Sequence, residues 1–141
     1  MNEIEKLKNI LVKEGVSITK PRLAVFKTLQ KSDEPLRTAE IARRTPSIDR
    51  ASVYRTLELF SRLGITVTVV RGWTPHTELA EPFKDHHHHI VCSQCNQSKN
   101  IESDTLEDVL SLIASRNGFT LDQHTVELSG LCRDCQQKIT N

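Results

Sequence analysis

Between His86 and Cys95 the chain reads His-His-His-His-Ile-Val-Cys-Ser-Gln-Cys, placing six potential metal ligands within ten residues. Neutral imidazole and thiolate are common ligands of zinc and related transition metals, and two cysteines three positions apart grip one ion from a tight turn. The same spacing recurs at Cys132 and Cys135, which with Cys92 and Cys95 account for every cysteine. Two such pairs read as one tetrahedral four-thiolate zinc site, with disulfides the competing use. The N-terminus, Met1 to Lys8, mixes Glu and Lys with isolated apolar residues and so has no signal-peptide core, and no stretch reaches the apolar length of a bilayer. The expected compartment is therefore the reducing cytoplasm, where cysteine pairs hold metal more often than they form disulfides.

The histidines add a second use of metal. On a strand successive side chains point to opposite faces, so His86 and His88 share one face while His87 and His89 share the other. One run then serves two ions. Distant residues must complete each shell, and Glu78, His76, Glu107 and His124 are the candidates. The plainer alternative is a solvated polar strand, with each distant residue an ordinary surface group.

These groups need elements to hold them. Leu7, Ile10 and Leu11 recur at helical spacing before Gly15, and Thr19-Lys20-Pro21 reads as the cap and first turn of a second helix ending near Lys31. Thr38 is placed to cap a two-turn helix stopped by Pro46, and Asp49 to cap the next, in which Val53, Leu57, Phe60 and Leu63 share one side and Ala51, Arg55 and Arg62 the other. A short helix, a tight turn and a second helix with a small, basic outer face is the helix-turn-helix pattern that seats a helix in the major groove. Ile65 to Val70 reads as a strand, Gly72 with Pro75 as a turn, and Thr77 to Ala80 as the returning strand of a wing. A helical bundle with an incidental hairpin is the competing architecture.

Charge supports a division of labour. Residues 1–80 carry 14 Lys and Arg against 9 Asp and Glu, a net +5, while residues 81–141 carry 5 against 9, a net −4. Such asymmetry suggests one part that meets a polyanion and another with a different task. Glu81-Pro82-Phe83-Lys84-Asp85 is the joint, giving a DNA-binding domain over 1–80, a hinge over 81–85 and a metal-binding domain over 86–141. Beyond the histidines, Ser98 to Ile101 is a short strand. Leu106, Val109, Leu110 and Ile113 form an amphipathic helix begun by Ser103 or Asp104, and Phe119 to Leu128 is a long strand with an irregularity near Asp122.

In this order the chain resembles the ferric uptake regulator family over nearly its whole length. Thr19-Lys20-Pro21-Arg22 is similar to the family's start of helix two, and Ala51-Ser52-Val53-Tyr54-Arg55-Thr56-Leu57 to its recognition helix. The His86 to Cys95 run, Gly118-Phe119, His124, Glu127-Leu128, Gly130 and Cys132-Arg133-Asp134-Cys135 complete the match. The resemblance implies an α+β chain: an N-terminal winged helix-turn-helix domain, then a small α/β dimerisation domain with a four-cysteine zinc site. It implies a homodimeric repressor, cytoplasmic and without a membrane, that binds a palindromic duplex operator when loaded with regulatory metal.

By position, Tyr54 would touch bases, Arg55 and Arg22 phosphates, and Ser52 would join them at the DNA. Cys92, Cys95, Cys132 and Cys135 would hold structural Zn(2+). Glu78, His87 and His89 would sense regulatory Fe(2+), Zn(2+) or Mn(2+) at the hinge, iron being the first choice and zinc the second. His86, His88, Glu107 and His124 would form an additional site. The chain departs from the pattern at three places: Leu36 and Arg37 stand where many members place a sensing histidine, Asn100 where many carry an acid, and Ser17 where some carry a minor-groove lysine. His76, on the same strand face as Glu78, is the substitute ligand. Two other classes compete. A metal-storage or chaperone protein leaves the helix-turn-helix unexplained, and a hydrolase lacks a zincin-type motif.

Overall fold

The computed structural model describes residues 1–140, which divide into a first compact unit, Met1–Asp85, and a second that begins at His86. The first unit comprises α1 (Glu3–Lys13), α2 (Lys20–Lys31), α3 (Thr38–Arg44), α4 (Arg50–Arg62) and the strands β1 (Thr66–Arg71) and β2 (Thr74–Leu79). Local chemistry sets the helix starts. Asn2 and Glu5 close a capping box on α1, Thr19 Oγ1 accepts from Arg22 N at 3.4 Å, and Asp49 Oδ2 accepts from Ser52 N at 3.0 Å. The helices lay Leu7, Leu11, Val25, Phe26, Ile41, Val53 and Phe60 into one core that Ile65 and Leu79 close from the hairpin.

Two local expectations shift. Thr38 is the first helical residue of α3 rather than its cap, because Leu36 is held extended by a two-bond bridge to Thr77 (2.9 and 2.7 Å) and Arg37 takes the N-cap position. Pro75 lies within β2, opposite Val70, and not in the turn, which is Gly72-Trp73 with Gly72 at φ +61. Thr77 bonds Leu36 on the side of β2 away from β1. Pro75, two residues earlier, presents its missing N–H on that same outer side and breaks no ladder bond.

The second unit comprises β3 (His88–Cys92), β4 (Ser98–Ile101), α5 (Asp104–Arg116), β5 (Glu127–Gly130) and α6 (Arg133–Thr140). β3 is the central strand, antiparallel to β4 and parallel to β5. Ser103 caps α5, its Oγ accepting from Leu106 N at 3.2 Å. Two expectations are corrected here, and one element is added. β3 begins at His88, so His86 and His87 precede the strand. Phe119 to Leu128 is not one long strand: ladder pairing begins at Glu127, because the Val126 N–H is bonded to the His88 ring (3.1 Å) rather than to a strand carbonyl. The segment after Cys132, for which the sequence suggested no element, winds into α6.

Candidate metal centres and nucleic-acid interface

Cys92 and Cys95 come from the turn that joins β3 to β4, tightened by Cys92 N donating to Gln97 O (2.8 Å) and by Asn96 at φ +64. Cys132 precedes α6 and Cys135 lies in its first turn. All four are free thiols, not disulfides, and their sulfurs lie within 4.8 Å of one another. The electrostatics call for a cation. Backbone N–H groups of Cys132, then Cys95 and Gln94, draw the Cys92 thiol down to about 6. A hydrogen bond with the Cys132 thiol, then burial and the other sulfurs, push Cys135 up to about 12. Four adjacent sulfurs thus cannot share negative charge unaided, and a tetrahedral dication resolves that conflict, so the donor set fits structural zinc.

The second cluster also lies wholly in the second unit. His86 Nε2 stands 3.1 Å from both Glu107 Oε1 and His124 Nε2, and 3.3 Å from His88 Nε2. Glu107 reaches His88 Nε2 with Oε1 and His124 Nε2 with Oε2, each at 2.6 Å. Burial raises the Glu107 carboxyl, but its hydrogen bonds to His88 and His124 outweigh that and hold it below the usual range. His124 Nδ1 is buried with no hydrogen-bond partner. Position 107, one turn into α5, faces this cluster and remains partly exposed.

His87 and His89 make the other pair, their Nε2 atoms 3.1 Å apart, and His89 Nδ1 meets Glu127 Oε1 at 2.5 Å. The alternation read from the sequence thus holds, although only His88 and His89 are in the strand. In the first unit Glu78 is buried on β2, with Oε2 accepting from Lys84 Nζ at 3.2 Å, while His76 Nδ1 is bonded to Thr74 O at 2.9 Å. Glu127, which the sequence shows only as part of the family match, and Lys84, only as part of the joint, are site neighbours that the sequence reading did not assign. Glu127 faces His89 through the parallel register of β3 and β5, which spacing along the chain does not reveal.

The basic face is on the first unit. Thr19, Pro21 and Arg22 at the start of α2 and Ser52, Arg55, Thr56, Leu59 and Arg62 along α4 line a hollow of about 300 Å³. Arg55 Nη2 donates to Ser52 Oγ at 3.2 Å, and Ser52 Oγ donates to Asp49 Oδ1 at 2.6 Å, so the cap that starts the helix also orients the guanidinium. Arg22 Nη1 donates to Ser17 O at 2.5 Å. Tyr54 is half exposed on the same helix, outside the hollow. Arg22 and Arg55, on the early turns of α2 and α4, suit a phosphate, and Arg62 at the far end of α4 adds a third positive charge to the hollow. Arg62 is the addition to the residues read from the motif; its place on the basic side of α4 was the signal.

The model of the ferric uptake regulator family matches residues 13–129. The chain belongs to that family. It is 31% identical over 146 residues to the ferric uptake regulation protein of Bacillus subtilis (strain 168), covering 99% of this chain and 98% of that one. To the ferric uptake regulation protein of Campylobacter jejuni subsp. jejuni serotype O:2 it is 33% identical over 142 residues, covering 96% and 89%. The crystal structure of the Vibrio cholerae ferric uptake regulator superposes with a TM-score of 0.70 at 26% identity, covering 89% of this chain and 99% of that one. As a ferric uptake regulator family member the chain is a metal-responsive, DNA-binding transcriptional regulator and not an enzyme. Among the described residues no helix is long and apolar enough to cross a membrane.

Proposed function

We propose that this regulator is a cytoplasmic repressor that binds a palindromic operator as a homodimer when metal joins Glu78 to His87 and His89, with His76 available as a fourth ligand. The observation that carries the reading is the sorting of four consecutive histidines into two close pairs of opposite facing, His86 with His88 and His87 with His89. One pair has its acid, Glu107, within its own unit. The other draws its proposed acid, Glu78, from the first unit, so an ion held by this set would fix the angle at which the DNA-binding units are presented. Metal favours the DNA-competent arrangement only by binding it more tightly than the alternatives.

Nitrogen and oxygen donors without sulfur suit Fe(2+), Mn(2+) or Zn(2+). The names of the Bacillus and Campylobacter relatives favour iron, with zinc next. Arg22, Ser52, Arg55 and Arg62 hold phosphates while Tyr54 reads bases. Val109, Leu112 and Ile113, exposed on α5, are covered by the second copy. His86, His88, Glu107 and His124 form the additional metal set. The test is binding to a promoter fragment with and without added metal. His87→Ala and His89→Ala should abolish the metal response and spare the dimer and its cysteine zinc, while His86→Ala and His124→Ala do less. A normal response in the first two variants with loss in the second two reverses the assignment.

A further inference from the structure

Glu78 is buried on β2, and a carboxylate taken that far from water needs a cation beside it. The chain delivers one from six residues further on. After Leu79 the backbone turns back on itself, the N–H groups of Phe83 and Lys84 both donating to Ala80 O, at 2.9 and 3.3 Å. Phe83 is pinned against the first core, its ring meeting that of Phe26 at 75° with centroids 4.9 Å apart. That anchor positions the next residue, Lys84, whose Nζ donates to Glu78 Oε2 at 3.2 Å. The two partners differ in freedom: the Glu78 side chain is 6% exposed and that of Lys84 26%. The carboxylate is held in place, whereas the ammonium, strongly hydrated and carried on a flexible four-carbon stem, is free to swing into water.

Resting on the proposal that Glu78 is a ligand of the regulatory metal, we propose that Lys84 is an internal competitor for that carboxylate and so sets the metal concentration at which the regulator responds. An ammonium has three N–H donors and no lone pair, so Lys84 neutralises Glu78 without being able to ligate an ion itself. Without regulatory metal it supplies the positive charge the buried carboxylate needs; when the ion takes Glu78, Lys84 is released to solvent. Glu78 is paired with a cation in both states, so the exchange needs no change of protonation. Competition lowers the apparent affinity by the fraction of molecules in which Glu78 is uncovered. An ion pair formed about nine-tenths of the time therefore raises the metal requirement about tenfold. A purely structural ion pair would leave metal affinity where it is.

Two experiments on the full-length protein with its cysteine zinc retained test this. In the first, zinc alone is titrated against a competing chelator. Lys84→Met keeps the stem and removes the charge, and should tighten one of the zinc equivalents bound beyond the cysteine ion on the order of tenfold. Lys84→Arg keeps a cation and should stay within about threefold of the parent. Unchanged or weaker zinc binding in Lys84→Met overturns the competition. The second uses the unaltered chain, so it does not depend on how a variant folds: the rate at which an acylating reagent modifies the Lys84 amine, read by mass spectrometry, should rise when zinc is added. An unchanged or slower rate overturns the displacement. Glu78→Gln separates this inference from the reading it rests on. If that variant binds zinc as the parent does, Glu78 is no ligand, and the site reading fails together with the inference. If it weakens one equivalent while Lys84→Met tightens none, the site stands and the role of Lys84 falls.

Discussion

The two units of this regulator are held together by different things. The first buries fourteen apolar side chains in one cluster, with Leu7, Leu11, Val25, Phe26, Ile41, Val53, Phe60 and Ile65 at or near zero exposure. Among the described residues of the second, only His88, His89, Cys92 and Cys135 are buried, and all four belong to ligand clusters. α5 buries nothing within its own chain: Val109, Leu112 and Ile113 are each about half exposed. A unit this small buries too little apolar surface to be stable alone, and structural metal or association is the usual remedy. The first unit therefore has a core of its own, and in the proposed reading it is the DNA-binding module. In the same reading the second is a fold that metal and a partner copy complete, which suits a part whose conformation must answer to metal.

The largest effect expected from this contrast is at the cysteines. Cys135→Ser should abolish tight zinc binding and dissociate the dimer, read by metal analysis and sedimentation, because four-thiolate binding energy is folding energy. A stable dimer without tightly bound zinc would break the comparison at its root. Next is Phe60→Ala, which empties the centre of the first core and should cost ~3–5 kcal/mol there by denaturant titration. Zinc content and dimerisation should be unchanged; a parallel loss in the second unit would show that the units are not energetically separate.

The smallest effects on stability, and the sharpest on function, are at the basic hollow. Arg55→Ala should leave both units folded, weaken binding to all DNA sequences alike and lower the salt slope by about one for each phosphate the guanidinium no longer neutralises. Tyr54→Ala should chiefly erode the preference for the specific site. Equal losses on specific and random DNA in both variants would remove the distinction between these roles.

The same contrast explains what could be read without a structure. In the first unit burial follows the chain's own periodicity, so Val53, Leu57 and Phe60 announce their helix, and Thr19 and Asp49 announce two helix starts. The four cysteines and the alternation of His86 to His89 were equally plain, since ligand type and spacing carry that information. The second unit hides more because its order comes from pairings distant in sequence. The parallel register that sets Glu127 against His89 and the bond from Val126 to His88 leave no periodic trace, and they turn the apparent strand of Phe119 to Leu128 into a short ladder beginning at Glu127. α6 begins directly after Cys132 and carries Cys135, in a segment with too few apolar residues to show a stripe.

The most direct test of the claim that metal completes the second unit is amide hydrogen exchange on the full-length protein, compared with and without a chelator that strips the cysteine zinc. The account predicts that amides of β3 and β5, such as those of Ile90, Val91 and Ser129, lose protection on chelation while those around Phe26 in α2 and Phe60 in α4 keep theirs. Retained protection in β3 and β5 without metal, or simultaneous loss in both units, would contradict it.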